Sequence, residues 1–121
     1  MSDGTAPAWV NDSSVEPLAA FLNQELAHPS AVMPAQCPVC AAPGSLHIHL
    51  HRFYDPMGGA WVWCSRCQRY DHDRRTIPAW WINNDAVDID ALASPPEALD
   101  DSADLVDAHW NQVVSDAEVD P

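Results

Sequence analysis

Lysine is missing altogether, and five arginines face eighteen acidic residues, for a formal charge of −13 over 121 residues. Such a surface repels nucleic acid and anionic lipid at long range and attracts basic partners. No apolar run approaches the roughly 18 residues that a membrane span needs, so no membrane association is expected. The opening MSDGTAPAWVNDSS has no basic start, apolar core or cleavage site, and a cytoplasmic location is expected. With only four glycines there is no Gly-rich phosphate loop, and H-E-x-x-H is absent. The zinc-deaminase pattern of H-x-E with P-C-x-x-C fails because Gln36 precedes Cys37 and no H-x-E occurs. Asp85, Asp88 and Asp90 lack the glycine and closing glutamate of an EF-hand loop. No catalytic residue is nominated, and an enzyme is not expected.

What is present is unevenly spread. Residues 1–34 carry four acids and no base; residues 35–82 carry all five arginines (Arg52, Arg66, Arg69, Arg74 and Arg75) against Asp55, Asp71 and Asp73. Residues 83–121 carry eleven acids and no base. The chain thus divides into an N-terminal tail and helix (1–34), a slightly basic centre (35–82) and an acidic C-terminal segment (83–121).

Periodicity supplies the elements. In SSVEPLAAFLNQELAHP, Ser13 and Glu16 have capping-box spacing, and Leu18, Phe21, Leu22 and Leu26 mark one apolar helical face that ends at His28-Pro29. In SLHIHLHRFY, Leu46, Ile48 and Leu50 alternate with His47, His49 and His51, which is strand period. DPMGG offers turn chemistry, and AWVWC resumes the alternation, so a β-hairpin is predicted, with a third short strand through Gln68–Tyr70. If odd residues pair with odd, His51 meets Trp63 and Phe53 meets Trp61; otherwise the tryptophans join Leu46, Ile48 and Leu50. Ser94, Pro95 and Glu97 form a helix start, and Leu99, Ala103, Val106, Trp110 and Val113 give it a narrow apolar seam. That seam needs a surface, in its own domain or on a partner.

The four cysteines carry the strongest signal. Cys37-x-x-Cys40 and Cys64-x-x-Cys67 are separated by 23 residues, and no cysteine stands outside a pair. Each C-x-x-C turn lets two thiolates aim at one ion, and the hairpin brings the turns together to complete a tetrahedral shell. In a reducing compartment such pairs bind metal more often than they form disulfides. The arrangement, with knuckles CPVC and CSRC at the ends of a hairpin, resembles the zinc ribbons over residues 37–67. Ribbons usually carry a glycine soon after the second knuckle cysteine; here Ala41 and Gln68 stand there. The resemblance implies one structural Zn²⁺. A rubredoxin-like iron centre has the same ligands and ranks below zinc. Four protein ligands close the shell, leaving no position for water. Arg66 and Arg69 are placed to offset the site's negative charge.

Two other groups are candidates. His47, His49 and His51 lie on one strand face about 6.6 Å apart; they are a possible second metal or polar site, set against the plainer reading of a hairpin's polar face. Trp80 and Trp81 are consecutive, so an extended backbone points them to opposite sides. With Asp100, Asp101, Asp104 and Asp107 they are the candidate partner-binding residues. The fold class expected is small α+β, a four-cysteine zinc-ribbon hairpin flanked by an N-terminal helix and an acidic C-terminal helix. The function expected is non-enzymatic binding of a basic protein partner. In size, charge and metal staple the chain is similar to small acidic bacterial immunity proteins, which implies inhibition of a toxin. The alternative is a nucleic-acid-associated accessory protein with an acidic regulatory tail, using the arginines with Trp61, Trp63 and Tyr70.

Overall fold

A computed structural model of the protein describes residues 9–93 and 96–119. The alternating stretch forms β1 (Leu46–Tyr54), and the chain reverses over Asp55 and Pro56 into the antiparallel β2 (Met57–Cys64). On the far side of β2 lies β3 (Tyr70–Thr76), giving a three-stranded sheet in the order β1-β2-β3. The expected strand through Gln68–Tyr70 is thus displaced: pairing begins at Tyr70 and runs seven residues to Thr76. YDHDRRT has no apolar alternation to announce it, and the ladder to β2 holds it in place.

Odd residues pair with odd, but four residues nearer the start of β1 than expected. His47 opposes Trp63, His49 opposes Trp61 and His51 opposes Gly59. The two-residue turn places Tyr54 opposite Met57, and a bulge between Arg52 and Tyr54 then shifts the register by one residue, so that odd meets odd from His51 to His47. Gly58 and Gly59 therefore sit inside β2 rather than in the turn. A Cβ on Gly58 would lie 2.0 Å from the His51 carbonyl oxygen and 2.7 Å from Ile77 Cγ1, so close backbone approach requires glycine there.

Both sheet faces are covered. Leu46, Ile48, Leu50, Ala60, Val62 and Cys64 share one core cluster with Val15, Leu18 and Leu22 at the start of α1 (Glu16–Ala27). Asp12 rather than Ser13 caps the 3-10 turn that leads into α1, accepting the Ser14 N–H at 2.8 Å. Past its end, the buried Glu25 carboxylate accepts the Ser30 and Ala31 amides, both at 2.8 Å, and so satisfies the chain reversal.

On the opposite face Trp61 and Trp63 pack with Val87, Leu99 and Val106. The C-terminal segment supplies this cover through α2 (Glu97–Asp101) and α3 (Ala103–Val119), separated at Ser102. Ser94 and Pro95, expected to start that helix, lie outside the described residues. The seam docks within the chain: Leu99, Val106, Trp110 and Val113 are buried. Trp110 and Val113 join the first cluster, so α3 links the two faces. Trp110 Nε1 donates to the Ala31 carbonyl at 2.9 Å, and the Asn111 amide pairs with both backbone groups of Met33 at 2.8 Å. Along the β1 edge, Asn83 likewise takes the Arg52 N–H at 2.8 Å and donates to the Arg52 carbonyl at 3.0 Å. At the β3 edge Val10 pairs in parallel beside Arg69, accepting from the Tyr70 N–H.

Gly58→Ala is expected to destabilise the protein by about 3 kcal/mol or more, because the obstruction is backbone and cannot rotate away. Gly44→Ala, at φ +64 in open space, should cost only about 1 kcal/mol. Chemical denaturation of the two variants checks this contrast.

Candidate metal centre

The second knuckle begins where β2 ends, and the first is tied to the start of β1 through Ala35, whose N–H donates to the Leu46 carbonyl at 2.9 Å. The hairpin thereby brings all four Sγ atoms of Cys37, Cys40, Cys64 and Cys67 within 4.8 Å of one another. Cys37 Sγ lies 3.9 Å from Cys67 Sγ, and Cys40 Sγ lies 3.7 Å from Cys64 Sγ. A tetrahedral ion with metal–sulfur bonds of about 2.3 Å sets neighbouring sulfurs about 3.8 Å apart. Both separations far exceed a disulfide bond of about 2.05 Å. The donor set therefore fits a metal ion such as zinc.

The knuckles are built alike. The Val39 and Cys40 amides point at Cys37 Sγ at 3.3 and 3.5 Å, and the Arg66 and Cys67 amides point at Cys64 Sγ at 3.3 Å each. These four N–H dipoles offset thiolate charge. Arg69 adds to this as expected, since its side chain and its backbone N–H both favour the Cys67 thiolate, while its Nε donates to Ser14 Oγ at 2.8 Å and ties the start of α1 to the knuckle. Each knuckle then closes through a left-handed residue, Ala41 at φ 65 and Gln68 at φ 55, where ribbons usually carry glycine. Burial pushes the Cys37 thiol up to about 12. At Cys64 burial also raises the thiol, but hydrogen bonds from Ser45, Cys67 and Arg66 outweigh it and bring the group to about 7. Ser45, whose Oγ lies 3.2 Å from Cys64 Sγ, carries no sequence signal that would single it out.

The histidine face is not a polar exterior, because the C-terminal segment covers it: His47 is 4% exposed and His49 1%. His47 Nδ1 donates to the Asp107 carboxylate at 2.8 and 3.0 Å, and its Nε2 lies 2.7 Å from Ser65 Oγ. Ser65 in turn donates to Asp100, which also accepts Trp63 Nε1 at 3.0 Å. Asp107, His47 and Ser65 follow the order of an acyl-transfer triad. Here, however, the serine proton points to Asp100, and the Ser65, Arg66 and Cys67 amides are committed to Ser45 O and Cys64 Sγ. The group acts as a clasp between the second knuckle and the C-terminal helices.

The three histidines do not converge. Among the described residues the cysteines alone gather as a metal-binding group. His49 packs between Trp61 and Trp81, at centroid distances of 5.8 and 6.3 Å, and its Nε2 has no hydrogen-bond partner. Burial is the main cause that pushes His49 down to about 3, with His51 and His109 adding to it. His51 is half-buried beside Phe53.

The candidate partner residues divide. Trp81 is buried against Trp80, His109 and Trp110, and Asp107 is buried in the clasp, so neither is available on a surface. Trp80 and Asp100 are half-buried, while Asp101 and Asp104 are exposed. No helix among the described residues is long and apolar enough to cross a membrane. Comparisons with protein-family models, curated proteins and solved structures give no match, so the reading rests on this geometry.

Two outcomes check the site. Left-handed backbone costs a non-glycine residue roughly 1–2 kcal/mol, partly offset by the freedom glycine adds to the unfolded chain. Ala41→Gly and Gln68→Gly should therefore each stabilise the metal-loaded protein by up to about 1 kcal/mol in thermal denaturation. His49 takes up its proton near 6.5 when unfolded but near 3 when folded. The unfolded chain thus binds more protons between those values, and stability falls as pH drops from 6.5 towards 3. From pH 6.5 to 5 this histidine should remove about 2 kcal/mol, and His49→Gln should flatten that part of the urea-midpoint profile.

Proposed function

We propose that the protein is a non-enzymatic zinc-binding protein whose metal is structural and whose acidic C-terminal segment binds a basic protein partner, in the manner of an immunity protein that inhibits a toxin. One observation carries the metal part: four cysteine sulfurs at tetrahedral spacing, supplied by two like knuckles. Four thiolates fill the shell, so the ion contributes folding energy and fixes shape. Zinc is favoured over iron because nothing beside the cysteines suggests electron transfer.

The partner part rests on charge and on what stays outside. Asp85, Asp88, Asp90, Glu97, Asp101 and Asp104 are all exposed. Ile82 and Leu105 add exposed apolar surface, and the Ile82 carbonyl meets His109, one helical turn beyond Leu105. An acidic surface with apolar anchors suits a basic protein and steers its approach. The nucleic-acid reading loses two of its stacking residues, since Trp61 and Trp63 are buried.

Elemental analysis should find one zinc per chain, and Cys64→Ser should lower both zinc content and thermal stability. Capture with basic proteins encoded beside this one should recover a partner whose binding weakens as salt rises. Replacing Asp101 and Asp104 together by asparagine should weaken that complex about tenfold and reduce its salt dependence. Salt-indifferent binding, or a partner unaffected by the double variant, would remove the electrostatic reading while leaving the metal site intact.

A further inference from the structure

At the end of the sheet away from the knuckles, the cover over the histidine face stops. In the row His51–Gly59–Arg74 the middle strand contributes no side chain. A Cβ at Gly59 would meet the edge of the Trp61 ring at 2.8 Å, so the indole lies against that missing position. Beside it opens a cavity of about 640 Å³, lined by Phe53, Tyr54, Met57, Gly59, His72 and Arg74. That volume is in the range of small-molecule sites.

Two features of the lining select a ligand. The first is exposed, braced aromatic surface. Phe53 and Tyr54 are 47% and 75% exposed, and Phe53 rests on His51 at 4.6 Å. His72 stacks on Trp61 at 4.3 Å with planes 9° apart, so the ring that lines the cavity is held flat from behind. The second feature is one available cation. Asp73 also lines the cavity, but Arg75 holds its carboxylate through two bonds of 3.0 Å. Asp55 is drawn to Arg52 at 3.3 Å. Arg74 is exposed, and its guanidinium has no ion-pair or hydrogen-bond partner among the described residues. A positive corner in a chain of charge −13 runs against the global field.

We propose that this cavity is a nucleotide site, with the base stacked among Phe53, Tyr54 and His72 and the phosphate on Arg74. Planar bases gain about 1–3 kcal/mol each from such stacking without regard to identity. An arginine donates to phosphate through paired, charge-assisted bonds. The volume suits one nucleotide, and the overall charge disfavours a long polyanion. A free mononucleotide and the end of a single strand present the same chemistry. The inference is independent of the acidic partner surface and of the metal's identity.

The test is titration of the full, zinc-loaded chain with adenosine 5′-monophosphate, adenosine, inorganic phosphate and hexaadenylate, followed by backbone amide NMR shifts and tryptophan fluorescence. Saturable shifts at Phe53, Gly59, His72 and Arg74 are expected with the monophosphate. Adenosine should bind about tenfold more weakly, and Arg74→Ala should lower the monophosphate to the adenosine level. Phe53→Ala should weaken both. Hexaadenylate binding tighter than the monophosphate would assign the source to single strands, and equal binding would assign it to free nucleotides; both support the site. No shift at millimolar monophosphate, shifts reproduced by phosphate alone, or binding unaffected by both variants would overturn it. Because these side chains are exposed, the variants should fold, and unchanged thermal midpoints confirm that.

Discussion

The structure depends on a geometric constraint: four sulfurs must reach one point, and two of them stand at the end of β2. Cys64 is opposite Leu46, the last pair of the ladder, so the knuckle and the strand register are set together. A slip of β2 by one residue along β1 would turn Cys64 away from the first knuckle and move Trp61 and Trp63 to the α1 face, away from His47 and His49. The cluster thus specifies which side chains each half of the chain must cover. A small domain with two faces to cover gains from such a fixed reference.

The C-terminal segment reads that reference through polar contacts as well as apolar ones. Ser65, between the knuckle cysteines, meets Asp100 and His47, and His47 meets Asp107. Asp100 in α2 and Asp107 in α3 stand on either side of the break at Ser102, and both turn inward. Asp101 and Asp104 turn outward. One acidic run therefore provides both internal fastening and external charge. Counting its eleven acids overstates what a partner meets.

Much of this was legible in the sequence, and the reasons are specific. The cysteine spacing, the alternation from Leu46 to Leu50 and the seam from Leu99 to Val113 each repeat with the period of their element. What stayed hidden depends on neighbours. β3 has no apolar pattern because it borrows its place from β2. Strand register depends on the turn and on the bulge between Arg52 and Tyr54, so the pairing of histidines with tryptophans could not be read, nor could their burial under the C-terminal segment. Gly58 and Gly59 looked like turn residues because the pressure on them comes from His51 and Trp61, which are remote in the chain or reached only by folding. Ala41 and Gln68 obscured the knuckle pattern by taking a backbone conformation that favours glycine.

The β3 edge has a further consequence. Among the described residues Val10 alone pairs there, at the knuckle end, and beyond it Asp71, Asp73, Arg74 and Arg75 follow within five residues. Unpaired strand edges template association with other chains, and closely spaced charge discourages it. Two acids precede two arginines along this strand, so two copies that meet side by side in parallel register place like charges together. The strand that buries no residue fully thus carries, along its own edge, charge that opposes that pairing of copies.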